Sequence, residues 1–300
     1  MKCSLFKTIE KRKRTMMTPR VAAIHDMSGF GRCSLTVAIP ILSAMGVQCC
    51  PLPTAFLSTH TGGFEGFTFL DMTDEMSKVA DHWASLGLTF QAVYSGFLGS
   101  ERQIGVVENF ICRFRGPDTV VVVDPVMGDY GRVYQTYTAA MCSGMARLAE
   151  LADVITPNLT EACILAGVGY EEAMRSDGLE AGLREITERL SLGGRRSVVL
   201  TGASLAPGRT GAVCFDARTG KTEAVQTAYV AHEFHGTGDV FSSVLTGALV
   251  RGESLSSAAG EAAAFVRACA ERTATEDLPM REGVDFEPLL GLLIPGKETV

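Results

Sequence analysis

The stretch HGTGDVFSSVLTGALV, residues 235–250, sets two glycines and an aspartate directly against a long apolar run. Val240, Val244, Leu245, Ala248 and Leu249 recur at spacings of three and four, which predicts a helix opening near Gly238. The first turn of a helix carries unpaired N–H groups and the positive end of the dipole, so an anion is stabilised there. Gly236 and Gly238 let a ligand come close to that backbone. Asp239 has two readings: a carboxylate that caps its own helix, or a base that takes a proton from an alcohol while the amides of Gly236, Thr237 and Gly238 hold a phosphoryl group.

Two further acids, Asp124 and Glu161, would complete a site for a phosphate with a divalent cation. Mg²⁺ takes oxygen ligands and keeps several waters, so two carboxylates and a nucleotide suffice, and direct coordination is not required. Taken singly, Asp124 also reads as a strand-end turn residue before Pro125, and Glu161 as a first-turn helix residue.

The elements that would have to position these groups alternate along the chain. RVAAIHD, QCCPLPT, QAVYSG, TVVVVDP, DVITPN and SVVLTG read as strands. Between them, helices are predicted over 33–45, 71–86, 101–114, 136–151 and 180–192, with TEACILAG helical after the fifth strand. Fully apolar runs such as VVVV suit strands covered on both faces. GAVCFDA and TEAVQTAYV, joined by a turn at Thr219-Gly220, predict antiparallel strands late in the chain, before helices over 238–251 and 254–273. Open α/β sheets bind ligands outside the carboxyl ends of their strands. The polar clusters fall at those ends: His25-Asp26, His60-Thr61-Gly62-Gly63, Ser95-Gly96, Asp124, Thr156 with Asn158 and Glu161, and Thr201-Gly202.

Bulk properties narrow the classes. The chain has 300 residues, 46% hydrophobic, enough for a substantial core, and its net charge of -7 disfavours nucleic-acid binding. No apolar run approaches the ~18 residues of a membrane span. Nine cysteines without CxxC spacing imply a reducing, cytoplasmic setting; Cys112, Cys163 and Cys269 read as buried thiols. Cys49 and Cys50, adjacent in a strand, point to opposite faces and are not joint metal ligands. Residues 1–19 read as a basic extension without packing periodicity, and 20–300 as one domain. SGFGRCS after the first strand reads G-x-G-x-x-S, but Ser34 stands where a dinucleotide fingerprint has Gly or Ala, and no ribose-binding acid follows in PLPT.

The motifs YSGFLGS, DPVMGD, ITPNLTEACIL and HGTGDVFSS, in that order, resemble the pyridoxal kinase group of the ribokinase-like superfamily. The match spans Val21 to about Thr273, with IHDMSGFGR and LSTHTGG also similar. The resemblance implies a three-layer α/β fold and ATP-dependent phosphorylation of the 5′-hydroxymethyl group of a B6 vitamer. It implies Asp239 as base, the amides of Gly236, Thr237 and Gly238 as anion hole, and Asp124 and Glu161 acting on Mg²⁺, through water, and on phosphates. Thr156, Asn158, Thr201 and Gly202 would line ATP, and His60, Thr61, Gly62 and Phe97 the pyridine side. Members are commonly homodimers, and several use a monovalent cation such as K⁺. Asp26 stands where many pyridoxal kinases have a serine, and its carboxylate suits a protonated pyridine nitrogen or an aminopyrimidine. The Met27-Ser28-Gly29 turn resembles hydroxymethylpyrimidine kinases, an alternative activity; a noncatalytic vitamer-binding protein is another.

Overall fold

The computed structural model describes residues 18–175, 179–231, 234–276 and 278–296, so most of the basic extension lies outside the described residues. The first half runs β1 (Arg20–Ser28), α1 (Ser34–Ala44), β2 (Gln48–Leu57), β3 (Phe69–Asp71), α2 (Thr73–Ser85), β4 (Ala92–Ser95), α3 (Glu101–Phe114) and β5 (Val120–Val123). A short hairpin, β6 (Gly128–Asp129) and β7 (Arg132–Val133), precedes α4 (Ala139–Glu150), β8 (Val154–Ile155), α5 (Leu159–Ala166), α6 (Tyr170–Arg175) and α7 (Leu179–Leu190). The chain ends with β9 (Ser197–Thr201), β10 (Arg209–Asp216), β11 (Lys221–Ala228), α8 (Thr237–Val250) and α9 (Leu255–Thr275), then two 3₁₀ turns at Met280–Glu282 and Glu287–Leu293.

One sheet has the order β11-β10-β9-β8-β5-β4-β1-β2-β3. Strands β2, β1, β4, β5, β8 and β9 are parallel. The expected late antiparallel pair is β10 and β11. A second antiparallel edge, β3 on β2, was not predicted, because FLD is exposed throughout and carries no alternation. Neighbouring residues of one strand serve opposite layers. Val121 and Val123 pack with α2, α3, α4, α5 and α7, whereas Val122 packs with α1, α8 and α9. Cys50 and Cys49 divide in the same way, as the alternation required. Small residues bring the second layer close: Ala258, Ala259 and Ala262 of α9 are fully buried, and a Cβ on Gly247 of α8 would overlap Met45. Among the described residues no helix is long and apolar enough to cross a membrane.

Two expectations need correction. Cys112 is exposed, on the solvent face of α3, while Cys163 and Cys269 are buried as expected. The helix predicted from residue 136 begins at Ala139 with Thr138 as its cap, because residues 128–133 fold into the hairpin instead.

This topology places a crevice. Both β2 and β4 flank β1, so the chain leaves β1 in one direction and returns to its other side, which is the switch point where open sheets bind ligands. His25 and Tyr94 stack edge-on there, with ring centres 4.2 Å apart. Strand β1 does not end at Asp26 as the sequence suggested. It continues to Ser28 through a register shift between His25 and Met27. Such irregularities bend a strand and re-aim a side chain; here the side chain is Asp26.

Candidate active site

Helix α8 opens one residue earlier than predicted, at Thr237, with Gly236 as N-cap in the left-handed conformation at φ 77°. A Cβ on Gly236 would overlap the Arg32 carbonyl oxygen, so the turn passes against the β1–α1 loop with no space for a side chain. No side chain caps this helix. Asp239 sits in its first turn at the third position and does not cap it, so the capping reading of Asp239 is set aside. The backbone N–H of Ser34, across the crevice at the start of α1, favours the ionised form of its carboxyl. The first amides of α8 are therefore left open toward the same space.

Ser34 also donates its Oγ–H to Asp26 Oδ1 at 2.6 Å, and Ser28 Oγ donates to Asp26 Oδ2 at 3.1 Å. Ser34 was singled out in the sequence only as a mismatch to a dinucleotide motif. In the structure its hydroxyl holds Asp26 of β1 from the start of α1.

Asp124 ends β5. Ser242 of α8, one turn beyond Asp239, bonds Asp124 Oδ2 at 3.1 Å and Thr156 Oγ1 at 3.0 Å, so all three lie together beneath the crevice. Glu161 is more committed. Its Oε1 accepts Met127 N–H at 3.1 Å and its Oε2 accepts Asn158 N–H at 2.9 Å, while Asn158 Oδ1 accepts Glu161 N–H at 3.0 Å. That is a reciprocal capping box at the start of α5. Asn158 Nδ2 further holds Gly128 O at 2.8 Å. Asn158 and Glu161 thus brace the 124–128 loop. Thr201 pairs with the adjacent backbone through its N–H to Pro157 O at 2.9 Å, and Gly202 continues in the left-handed conformation at φ 70°.

On the other side of the crevice, His60 is buried and fixed as one neutral tautomer. Its Nε2–H donates to Arg281 O at 2.7 Å and its Nδ1 accepts Gly62 N–H at 3.1 Å. Both ring nitrogens are in use, so it anchors its loop. Thr61 is exposed, Gly62 packs beneath His235, and Phe97 lies half-buried against Tyr137, 5.9 Å between ring centres. Sequence reasoning missed the segment that closes this wall. Residues 280–287 strap back over the β1–α1 loop: Arg32 N–H donates to Glu282 O at 2.9 Å, and its guanidinium pairs with Asp285 at 3.0 Å and Glu287 at 2.8 Å. Such contacts join positions some 250 residues apart and leave no local signal.

Electrostatically, the crevice is a set of acids held close together. Burial pushes the Asp239 carboxyl up to about 7; the Ser34 N–H opposes this and the Asp26 charge adds to it. Burial, then the Asp239 charge, raises Asp124. Burial also raises Asp26 and Glu161. Among the described residues no Lys or Arg offsets any of the four. A bound cation would relieve this. No group of three His, Cys, Asp or Glu could hold a metal by itself among the described residues. All-oxygen donors in so small a number suit Mg²⁺ completed by water and nucleotide.

The phosphomethylpyrimidine kinase family matches residues 39–283. The chain belongs to that family. A pyridoxine/pyridoxal/pyridoxamine kinase of Bordetella bronchiseptica is 29% identical over 276 residues, covering 84% of this chain and 89% of its own. A Bacteroides thetaiotaomicron protein assigned to the phosphomethylpyrimidine kinases, crystallised with pyridoxal, superposes with a TM-score of 0.85 at 42% identity, over 92% of this chain and 96% of its own. Pyridoxal kinase from Lactobacillus plantarum superposes with a TM-score of 0.82 at 28% identity, over 92% of this chain and 96% of its own. The expected membership of the pyridoxal kinase group and its ribokinase-like three-layer fold are thereby borne out, and the chain is a kinase.

Proposed function

We propose that this kinase transfers the terminal phosphoryl group of ATP to the 5′-hydroxymethyl group of a B6 vitamer, with Asp239 as the base. The observation that carries the reading is the position of Asp239. Its carboxyl lies in the first turn of α8, beside the uncapped amides. In the transfer the alcohol proton passes to Asp239, the alcohol oxygen bonds to phosphorus, and the bond from phosphorus to the β-phosphate oxygen breaks to release ADP. The amides of Gly236, Thr237 and Gly238 hold the moving phosphoryl oxygens. Thr156, Asn158, Thr201 and Gly202 form the nucleotide side, and Asp26, His60, Thr61, Gly62 and Phe97 the ring side. Asp124 and Glu161, both through water, would hold Mg²⁺, which would supply neutralisation of phosphate charge when bound.

Coupled assays of ADP release with pyridoxal, pyridoxine, pyridoxamine and 4-amino-5-hydroxymethyl-2-methylpyrimidine test this reading. The expected result is the highest kcat/KM on a pyridine. Turnover confined to the pyrimidine would replace it with the second reading, hydroxymethylpyrimidine kinase, which the family match and the Met27-Ser28-Gly29 turn favour.

We place the chain from residue 20 onward as one kinase domain, in a reducing cytoplasm that suits its free thiols. We also infer a homodimer. Phe56 and its cross-strand partner Leu70 are exposed together on one face of β2 and the edge strand β3, with Phe69 exposed on the other face, an edge that invites association. The natural chain is expected to sediment at about twice 32.0 kDa and Leu70→Asp at about that mass. A natural chain that sediments as a monomer rejects the inference.

A further inference from the structure

Past α9 the chain turns back with its apolar residues alternating around an acid: Val284 and Phe286 are buried among α1, α8 and α9, and Asp285 between them is 7% exposed. A carboxylate so far from water needs partners, and Asp285 has them on two sides. Its Oδ2 accepts Arg272 Nε–H of α9 at 2.6 Å and its own N–H donates to Thr273 Oγ1 at 2.8 Å, so α9 fixes its place. Its Oδ1 accepts Arg32 Nη2–H of the β1–α1 loop at 3.0 Å. The Arg32 N–H is held as well, by Glu282 O at 2.9 Å. The Arg32 carbonyl is then wedged between two glycines. A Cβ on Gly283 would come within 2.7 Å of its oxygen, and one on Gly236 would overlap it. Gly236 is the N-cap of α8, where the phosphoryl group is assigned to the first amides. The same strap accepts His60 Nε2–H at Arg281 O, so both walls of the crevice lean on it.

We propose that Asp285 is a positioning residue for phosphoryl transfer: by fixing the Arg32 guanidinium to α9, it sets the Arg32 carbonyl as the wall against which the turn at Gly236 is placed. The proposal rests on the kinase reading above. The path runs through Arg32. Its other acidic partner, Glu287, has a side chain 49% exposed, and a pair open to water holds a loop weakly. Asp285 is the buried partner, anchored twice to α9 and bracketed by two core side chains, so it supplies the rigid reference. Without its charge, Arg32 and Arg272 lose the anion they share and the β1–α1 loop is released from α9. The first turn of α8 then loses its wall, and its amides and Asp239 drift relative to the alcohol. Small misplacements of this sort cost rate even when every reacting group is present and both substrates still bind.

The test is a double-mutant cycle of Asp285→Asn and Arg32→Met, with Glu287→Gln for comparison, assayed with pyridoxal and ATP below every thermal midpoint. Each single variant of the cycle is expected to lower kcat about tenfold with both KM values within about threefold, and the double variant to fall no further than the stronger single. Glu287→Gln is expected to stay within about twofold of the natural kcat. A kcat within about twofold of natural in Arg32→Met overturns the proposal, because a merely structural contact lowers the thermal midpoint and spares the rate of the folded enzyme. Effects that multiply in the double variant overturn it too. If Asp285→Asn does not fold, Arg32→Met decides alone, since that side chain is partly exposed. A readout independent of turnover is hydrogen exchange at Val240, whose N–H bonds Gly236 O at 2.9 Å and reports opening of the first turn of α8. It is expected to exchange about tenfold faster in both variants and at the natural rate in Glu287→Gln. Unchanged exchange in both likewise overturns the proposal. Inactivity of the natural enzyme on every vitamer would instead reject the B6 reading, and the exchange rates would still decide whether Asp285 holds this turn.

Discussion

Replacing Asp239 by asparagine is expected to lower kcat about 10³-fold while leaving KM for nucleotide and alcohol within about threefold. Asparagine has nearly the same shape, so the first turn of α8 keeps its packing. What it lacks is basicity. Steady-state kinetics with calorimetric binding check the outcome, and more than a tenth of the natural kcat would remove Asp239 from the role of base. The pH dependence follows from its carboxyl lying near 7. Activity of the natural enzyme rises as pH passes through about 7, because the base must be ionised.

Stability runs the other way. Between about pH 4, where an unfolded aspartate releases its proton, and about 7, the folded chain still holds that proton, so stability falls as pH rises through this window. Asp239→Asn removes the effect. Its thermal midpoint is expected to exceed that of the natural enzyme by about 2 °C or more at pH 8, with the gap closing toward pH 4. A gap that widens toward acid would contradict the burial of this carboxyl.

Gly236→Ala is expected to lower kcat/KM about 10²-fold and to lower the thermal midpoint as well. Alanine at φ 77° costs about 1–2 kcal/mol in backbone strain, and its Cβ meets the Arg32 carbonyl, a backbone atom that cannot swing aside. Relief requires α8 to move away from the β1–α1 loop, which takes the amides and Asp239 out of register. Gly238→Ala is the contrasting case. Gly238 is exposed and a Cβ there meets nothing within 4 Å, so the fold and thermal midpoint stay close to natural. Its added methyl stands beside the amides proposed to hold the phosphoryl group, and KM for ATP is expected to rise about tenfold. Equal midpoints for the two variants, read by circular dichroism, would remove the distinction between a glycine demanded by backbone packing and one demanded by a ligand.

Most of the architecture was legible because its signals are periodic. The runs around β1, β5 and β9 and the spacing in α3, α8 and α9 each extend over several residues, and their edges were correct to within a few positions. The elements missed are those too short for a period: β3, the β6–β7 hairpin, α6, the two 3₁₀ turns and the register shift at Asp26. For the site, Asp239, Asp124 and Asp26 were recognisable as acids placed at strand or helix ends. The Asn158–Glu161 capping box was also readable, as N-x-x-E before an apolar run, although its carboxylate was assigned to metal and phosphate without the bracing role.

Residue type and local spacing alone determined that this chain forms a mostly parallel layered sheet with a glycine-flanked helix start and an aspartate beside it. Helix ends and strand ends are produced by backbone chemistry within a few residues, so they leave a local trace. Only the assembled protein decided that Asp239 is buried close to Asp26 and Asp124, that Ser34 holds Asp26, and that Arg32 anchors the 280–287 strap against the same wall. Those contacts link segments brought together by sheet order and layer packing, whose free energy belongs to the whole core and to no single stretch of sequence.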